Sequence, residues 1–212
     1  MAIINGTNGN DNISGTSDDD VIDAFGGNDQ VYAGAGNDVV HGGTDNDFIR
    51  GEVGADQLYG DDDDDILYGG DGDDLIDGGN GNDQLFSEDG NDVLRGGAGS
   101  DTFDGGAGSD VFYVDAADTT VDGGAGLDTV TVEDPNGSNL VVTNVESVAG
   151  SIGNDIVTVT GSSDVSMFGS FGDDQLVGGA GIDTLNPKNG GQRVSWQQFL
   201  RSARPEGPRL RA

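Results

Sequence analysis

The sequence predicts an all-β solenoid built from short strands and tight turns. Three observations point to this fold class: a nine-residue repeat, a large apolar residue at one fixed place in each repeat, and an excess of glycine and aspartate. Among 212 residues there are 40 Gly and 40 acidic side chains. Only five of the acidic residues are Glu, which favours helices, and the others are Asp, which favours turns. The composition therefore argues against a helical protein.

Twelve nonapeptides follow one another without a gap from residue 6 to residue 113, and GGDGDDLID (69–77) and GGNGNDQLF (78–86) show the pattern most clearly. Gly occupies place four in nine of the twelve. Place six is always aspartate: Asp11, Asp20, Asp29, Asp38, Asp47, Asp56, Asp65, Asp74, Asp83, Asp92, Asp101 and Asp110. Place eight is always large and apolar: Ile13, Ile22, Val31, Val40, Ile49, Leu58, Leu67, Ile76, Leu85, Leu94, Phe103 and Phe112. A fixed phase of this kind is typical of repeat architectures.

Each repeat is interpreted as one turn followed by one very short strand. Glycine at places one, two and four reaches positive φ without Cβ strain, which suits a turn. The last three places form the strand, and its middle residue at place eight points inward. One such unit cannot bury its apolar residue alone, so the repeats must stack, and two nonapeptides close one 18-residue rung. Twelve repeats then give six rungs.

The pattern G-G-x-G-x-D-x-U-x, with U large and apolar, resembles the calcium-binding nonapeptide of the repeats-in-toxin (RTX) family. It returns at 123–131, 150–158, 169–177 and 178–186. The resemblance implies a right-handed parallel β-roll that continues into a less regular β-helical segment. It also implies several calcium ions, held between turns by place-six aspartates and backbone carbonyls. Metal ligation is thereby assigned to the twelve aspartates named above and to Asp128, Asp155, Asp174 and Asp183.

Charge repulsion gives an independent reason for a cation. Strands of neighbouring rungs lie about 4.8 Å apart, so residues one rung apart form rows of carboxylates at that spacing. Two unit charges at this distance repel by about 0.9 kcal/mol even in bulk water. A divalent cation between successive carboxylates turns this repulsion into coordination, and many oxygen ligands suit Ca²⁺ better than Mg²⁺. The net charge of −32 opposes compaction, so we expect folding and calcium binding to be one equilibrium and the metal-free chain to be disordered.

Other interpretations of the acidic residues are weaker. A disordered acidic tract that binds calcium diffusely has no use for a phased apolar residue. An EF-hand needs flanking helices, whereas the acidic run 61–65 leads directly into apolar residues. Enzymatic function is not expected, because the single histidine, His41, falls at an outward ninth place and no nucleophile, zincin or phosphate-loop motif is present.

The regular roll is expected to span residues 1–113 and a degenerate roll with four further repeats to span residues 114–186. In the first degenerate repeat Thr119 stands at place six, so no ion site is assigned there. β-Branched runs on either side of Pro135, Asn136 and Gly137 predict two strands joined by a turn. One extra residue before Gly169 shifts the phase and predicts a bulge or loop within residues 162–168.

The C-terminal segment 187–212 follows different rules, because it carries one acidic and six basic side chains. Ser195 and Gln198 predict a capping box for a short helix that includes Trp196 and stops before Pro205. Such a helix would cap the roll or serve as a recognition tail, and a poorly ordered tail is the alternative. RTX proteins usually carry a C-terminal signal for type I secretion, and this Arg-rich and Pro-rich end does not resemble one.

The charge balance excludes nucleic acid and anionic lipid as partners and leaves cations as the obvious ones. The chain has no Cys and no apolar run near the ~20 residues of a membrane helix, and its first residues predict no cleavable signal peptide, so we expect no membrane insertion. Two outward stripes are candidate surfaces for self-association or cell-surface contact, although such residues favour sheet surfaces without any partner. The stripes are Val21, Val39, Gln57, Leu75, Val93 and Val111 on one side and Tyr32, Tyr68 and Phe86 on the other.

The function predicted from these features is calcium binding coupled to folding. Weak extracellular-type sites, with dissociation constants of ~10⁻⁴–10⁻³ M, would remain empty in the cytosol and fill outside the cell. The expected location is therefore extracellular or on the surface of a bacterium, reached by a type I route. Two alternatives stay open: a structural surface protein such as an adhesin, surface-layer or filament subunit, and an accessory module of a secreted hydrolase or epimerase.

Overall fold

The chain forms a β-solenoid of short strands, shown by a computed structural model that describes residues 1–161 and 163–186 and the strand 193–196. Within these residues there is no helix, and hence no helix long and apolar enough to cross a membrane. The first strands are β1 (Ile3–Thr7), β2 (Asn12–Ser14), β3 (Val21–Phe25), β4 (Gln30–Ala35), β5 (Val39–Gly43), β6 (Phe48–Val53), β7 (Gln57–Asp62), β8 (Ile66–Asp71), β9 (Leu75–Asn80), β10 (Gln84–Asp89) and β11 (Val93–Ala98). The later strands are β12 (Thr102–Asp104), β13 (Val111–Val114), β14 (Thr120–Asp122), β15 (Thr129–Val132), β16 (Asn139–Thr143), β17 (Ser147–Ala149), β18 (Ile156–Thr160), β19 (Ser166–Phe168), β20 (Gln175–Gly178), β21 (Thr184–Asn186) and β22 (Arg193–Trp196).

The strands alternate between two parallel sheets of 11 strands each, the odd-numbered strands in one sheet and the even-numbered strands in the other. Every strand pairs with the strand two positions later, so each pair of repeats makes one turn of the solenoid. In the regular array, paired residues are equivalent residues of successive rungs, as in the pairing of Val93 with Leu75 and with Val111. The prediction of a parallel roll in which two nonapeptides close each rung is confirmed.

The core is a double column of place-eight side chains between the two sheets. Ile13 and Phe103 are 7% and 5% exposed, and the other ten place-eight residues of the regular array are fully buried. Beyond the regular array the columns continue through Val121 and Val142 in one sheet and through Val130, Val148 and Met167 in the other. Leu140, Val157 and Leu176 form a further buried line, two residues earlier than Val142 in its strand. One buried apolar side chain per strand is what the sequence predicts, and β13, β15, β16 and β18 each bury a second large one. The core remains thin for a solenoid of this length.

The strands of the regular array are longer than predicted. Instead of ending at place nine, strands such as β4 and β8 continue into places one to three of the next repeat. The extension arises because places two and three continue the ladder, as in the pairing of Gly34 with Glu52 and Glu52 with Gly70. The turn is therefore confined to places four to six, the part of the repeat that carries the aspartate.

The degenerate segment keeps both sheets but varies the length of the rung. Thr120 pairs with Val141 across a longer rung, because the predicted turn at Pro135 and Asn136 is inserted between β15 and β16. On that side the rung from β16 to β18 is one residue shorter than a regular rung. The rung from β18 to β20 is one residue longer. On the other side β17 pairs with β19 across one extra residue, which lies in the connection 161–165 and overlaps the predicted segment.

The prediction of a helix that starts at Ser195 is wrong for its first residues, which form a strand instead. Ser195 and Trp196 lie in β22, which pairs in parallel with β20 of the preceding rung. The open edge of the last rung offers unpaired backbone groups at the spacing of a strand, and this outweighs a local capping signal. Residues 197–212, with Gln198 and the rest of the predicted helix, lie outside the described residues.

Glycine at place four allows successive turns to lie directly on one another. Gly99 has φ +141, and a Cβ built on it would collide with the carbonyl oxygen of Gly81 in the preceding rung. Gly72 and Gly108 show the same approach to Gly54 and Gly90. Gly9 holds the same place in the first repeat, where no earlier rung lies beneath it, and a Cβ there meets nothing within 4 Å.

Gly99→Ala is expected to lower the free energy of unfolding of the calcium-loaded protein by about 1–3 kcal/mol, because it adds both backbone strain and a collision. Gly9→Ala, at the same place of the repeat, should change it by less than about 0.5 kcal/mol. Thermal unfolding of both variants in excess calcium checks this. Equal losses in the two variants would contradict the stacking explanation.

Candidate metal centre

The place-six aspartates form two rows inside the turns, one along each edge of the roll. From Asp20 to Asp110 their side chains are at most 4% exposed. Asp20 Oδ1 accepts a hydrogen bond from the backbone N–H of Ala2, and from Asp29 to Asp110 each Oδ1 accepts one from the backbone N–H of the aspartate one rung earlier. The bonds between aspartates are 2.7–2.9 Å long through the regular array, for example from Asp47 N to Asp65 Oδ1 at 2.7 Å.

The second carboxylate oxygen, Oδ2, is left without a hydrogen-bond partner in most of the turns. It is buried there. A buried, unpartnered carboxylate oxygen is costly, because burial removes its water and nothing replaces it. Within the described residues the unpartnered oxygens belong to Asp29, Asp38, Asp47, Asp56, Asp65, Asp74, Asp83, Asp92, Asp101, Asp110 and Asp128.

Most of the unpartnered oxygens lie in a cradle that glycine at place one keeps open. A Cβ added to Gly60 would run into Asp65 Oδ2 and would lie 2.5 Å from the carbonyl oxygen of Gly78 in the next rung. A Cβ on Gly78 would lie 2.7 Å from the Gly96 carbonyl oxygen. Carboxylate and backbone oxygens therefore converge where a side chain would otherwise lie.

The donor set of these cradles fits calcium. In the described part of the chain no three His, Cys, Asp or Glu side chains come together as a metal cluster. An ion would therefore take one or two carboxylate oxygens and complete its shell with backbone carbonyls. Hard oxygen ligands in an adaptable arrangement are what Ca²⁺ prefers, and its charge would satisfy the Oδ2 atoms that have no other partner.

Three place-one residues depart from glycine. Ala24 and Ala33 place a buried methyl group beside the turns of Asp29 and Asp38. Ser87, fully buried, donates its hydroxyl to the Gly105 carbonyl oxygen at 2.7 Å. These substitutions were not predicted to affect the turns, although the sequence shows them as departures from the consensus at place one.

Burial raises the pKa values of several aspartates in the two rows. Loss of hydration raises the pKa of Asp65 to about 8 and the pKa values of Asp47, Asp74 and Asp83 to about 7. The hydrogen bond from the preceding rung partly offsets this effect, and charged neighbours such as Asp101, one rung beyond Asp83, add to it. The metal-free rows therefore hold protons at neutral pH that an unfolded chain would release.

Two exposed aspartates at place five, Asp64 and Asp73, have lowered pKa values instead. Asp64 accepts hydrogen bonds from the backbone N–H and the side-chain amide of Asn82, at 2.7 and 2.9 Å. Asp73 accepts the same pair from Asn91. These donors lower the pKa values of both carboxyl groups, which are exposed. Asp64 and Asp65 are thus adjacent carboxylates with opposite shifts.

The other predicted ligands occupy the same rows but differ in detail. Asp11 and Asp20 begin the rows, and their Oδ2 atoms are bonded within their own loops, as is that of Asp155. Asp174 Oδ1 accepts from Asp155 N at 3.1 Å. Asp183 Oδ1 accepts from Val165 N at 3.3 Å, so all sixteen predicted aspartates lie in the two rows.

Two acidic residues that were not predicted as ligands also lie in the rows. Asp118 accepts a hydrogen bond from Asp101 N at 2.8 Å and is fully buried. It therefore occupies the row position at which nine-residue counting places Thr119. The loop reaches its aspartate one residue early, which strict nine-residue counting cannot show. Glu146 Oε2 accepts from Asp128 N at 2.9 Å and continues the opposite row with a longer side chain.

The outward faces carry the predicted stripes. Tyr68 stacks on Phe86 with centroids 4.7 Å apart, and Phe48, from place seven, lies 5.6 Å from Tyr68. On the other sheet His41 stacks on Tyr59 at 4.6 Å, and its Nδ1 lies 3.1 Å from Asp61 Oδ2. His41 therefore contacts two surface residues, Tyr59 by ring stacking and Asp61 through Nδ1.

Acid is expected to stabilise the metal-free roll. The raised pKa values mean that the folded rows bind more protons than the unfolded chain between about pH 4 and pH 8, so stability is greatest below the unfolded pKa and is lost as pH rises through 6–8. Far-ultraviolet circular dichroism in a chelator should show more strand signal near pH 4 than near pH 8.

Two adjacent substitutions provide the control. Asp65→Asn removes a buried charge and should stabilise the metal-free roll at neutral pH while weakening calcium binding. Asp64→Asn keeps an oxygen acceptor for Asn82 and changes the net charge equally, so it should do neither. A strand signal that does not depend on pH, or equal effects of the two variants, would contradict the assignment.

Comparison with known proteins agrees with the geometry. The family model of the RTX calcium-binding nonapeptide repeat, in four copies, matches residues 5–40, 32–67, 41–76, 59–94, 77–112, 86–121 and 149–185. A comparison with curated proteins finds no match. The matched segments cover most of the chain and contain the turns whose aspartates form the two rows. The chain belongs to the RTX calcium-binding nonapeptide repeat family and is a calcium-binding repeat protein.

Proposed function

We propose that this protein is exported unfolded and forms its roll when it binds several calcium ions outside the cell. The observation that carries the proposal is the set of eleven buried carboxylate oxygens without a partner. A folded state that contains them needs either protons or cations at those places. At neutral pH and in external calcium, cations are the available choice.

The thin core supports coupling between folding and calcium binding. Most strands of the regular array bury one large apolar side chain, and the net charge of −32 acts against compaction. Metal binding that requires a folded site contributes its free energy to folding. The interactions that hold successive rungs together are thereby linked to ion occupancy.

Export in the unfolded state follows from the difference between compartments. Repeat sites of extracellular modules have dissociation constants of ~10⁻⁴–10⁻³ M, well above the calcium available in a cytosol. The chain would therefore remain unfolded before export and fold after it. We assign it no catalysis, because no acid–base pair stands apart from the repeated carboxylates of the two rows.

Removal of calcium should unfold the protein. Circular dichroism at neutral pH in millimolar calcium is expected to show a strand spectrum, and excess chelator should replace it with that of a disordered chain. Magnesium at the same concentration is the matched control and should not restore the strand signal. A chelated sample that retains its strand spectrum at neutral pH would overturn the proposed coupling.

A second role, contact with another copy or with a surface, is supported by the outward row of rings at Tyr32, Phe48, Tyr68 and Phe86. Their centroids are 4.7–6.0 Å apart across successive strands, and the residues are partly exposed. A continuous aromatic stripe on an acidic surface is a candidate interface once calcium has neutralised the rows.

Sedimentation of the calcium-loaded protein tests this role. If copies associate through the stripe, Tyr68→Ser should raise the dimer dissociation constant about tenfold, or about 1.4 kcal/mol. His41→Ser, on the opposite sheet, should leave the constant unchanged. A wild-type protein that remains monomeric at high concentration removes the self-association role.

A further inference from the structure

Most aspartates of the two rows fall into two classes according to what their Oδ2 atoms contact. Eleven have no hydrogen-bond partner at Oδ2. Four others accept a backbone N–H from place two of their own repeat: Asp11 from Thr7 at 2.6 Å, Asp20 from Thr16, Asp118 from Asp115 and Asp155 from Ser151, each at 2.8 Å. We call the first class open loops and the second class closed loops.

The backbone conformation at place two separates the same two classes. In every open loop the residue at place two has a positive φ, between 71° and 120°. The residues are Phe25, Gly34, Gly43, Glu52, Asp61, Gly70, Gly79, Glu88, Gly97, Gly106 and Gly124. None of the four place-two residues of the closed loops is among the positive-φ residues of the described chain. The orientation of the peptide N–H at place two thus decides whether Oδ2 accepts a hydrogen bond from it or remains without a partner.

Hydroxyl side chains complete the closure at the N-terminal end. Thr7 Oγ1 lies 2.8 Å from Asp11 Oδ2, and Thr16 Oγ1 lies 2.8 Å from Asp20 Oδ2. Each oxygen therefore receives two donors from one threonine. A β-branched residue is a clear outlier at positive φ, so threonine at place two holds the loop in its closed form.

At the N-terminal end the electrostatics agree with this division, whereas Asp118, also in a closed loop, has its pKa raised to about 7 because burial outweighs its hydrogen bonds. Hydrogen bonds, first from the Ala2 N–H and then from the Thr16 hydroxyl and N–H, lower the pKa of Asp20 although its side chain is buried. Asp38, one rung later in the same row, has a raised pKa because burial dominates. The Asp20 carboxylate is already stabilised as an anion by the chain itself, whereas that of Asp38 is not.

We propose that calcium occupies only the open loops, and that Thr7 and Thr16 make the first two repeats a metal-free cap. This inference rests on the proposed calcium-dependent function. Among the loops that fall into the two classes, the ions then lie from the turn of Asp29 to that of Asp128. The loop of Asp174, whose place-two residue Ser170 also has a positive φ, is assigned to neither class. The closed loops of Asp118 and Asp155 bind no ion, although the second lies within a segment matched by the family model.

Opening a closed loop should add an ion. Thr16→Gly removes both the hydroxyl and the bias against positive φ, and it is expected to raise the number of bound calcium ions by one. Thr16→Val is the matched control, because it removes the hydroxyl but keeps the β-branch and the N–H donor, and it should add none. Equilibrium dialysis with elemental analysis gives the stoichiometry directly.

Closing an open loop should remove an ion. Glu52 has φ 78, and its repeat contains Asp56, whose Oδ2 is unpartnered. Glu52→Thr is expected to turn this peptide and to lower the calcium number by one. Glu52→Asn removes the same charge but tolerates positive φ, so it should leave the number unchanged. Circular dichroism in calcium verifies that each variant is folded.

The outcomes separate this inference from the function on which it depends. A wild-type protein that binds no calcium would remove the proposed function, and the inference with it. A wild-type protein that binds calcium, together with unchanged ion numbers in Thr16→Gly and Glu52→Thr, would overturn the inference alone. Equal changes in Thr16→Gly and Thr16→Val would also overturn it, because the backbone at place two would then not be the determinant.

Discussion

Buried carboxylates stacked one rung apart are the constraint on which this structure depends. The roll brings Asp47, Asp65 and Asp83 into one row, each held by the N–H of the aspartate before it. That bond fixes Oδ1 and leaves Oδ2 with neither water nor a donor. Repulsion within the row and loss of hydration act in the same direction, so the fold is complete only with a positive charge in the turns.

The glycines follow from the same constraint. At place four, glycine allows one turn to lie on the carbonyl of the turn before it, as Gly99 lies on Gly81. At place one it leaves the cradle between Asp65 and the Gly78 carbonyl free of any side chain. A larger residue at place four would separate the rungs, whereas place one holds a larger residue than glycine at Ala24, Ala33 and Ser87 of the regular array. The high glycine content thus serves close stacking and oxygen ligation rather than flexibility.

The repeat itself made the architecture, the buried residues and the two rows predictable, because a nine-residue phase places equivalent residues at equivalent positions. What depends on local backbone geometry was not predictable by counting. Asp118 reaches the row from place five, and strand β22 forms where a helix was expected, because the edge of the roll supplies its partners. Closure by Thr7 and Thr16 was visible as hydroxyl residues at place two, but its meaning requires knowing where their donors point.

Closed loops also bear on how an array of ion sites can begin. If every loop required an ion, no rung would be ordered before the first ion bound, and that ion would have to order two rungs at once. Asp11 and Asp20 are fixed by their own threonines, and their N–H groups donate to Asp29 Oδ1 and Asp38 Oδ1 at 2.7 Å. The first open carboxylate of each row is therefore positioned by a rung that needs no metal. Positioning of this kind lowers the ordering cost of the first ions, and each filled rung then holds the next one in the same way.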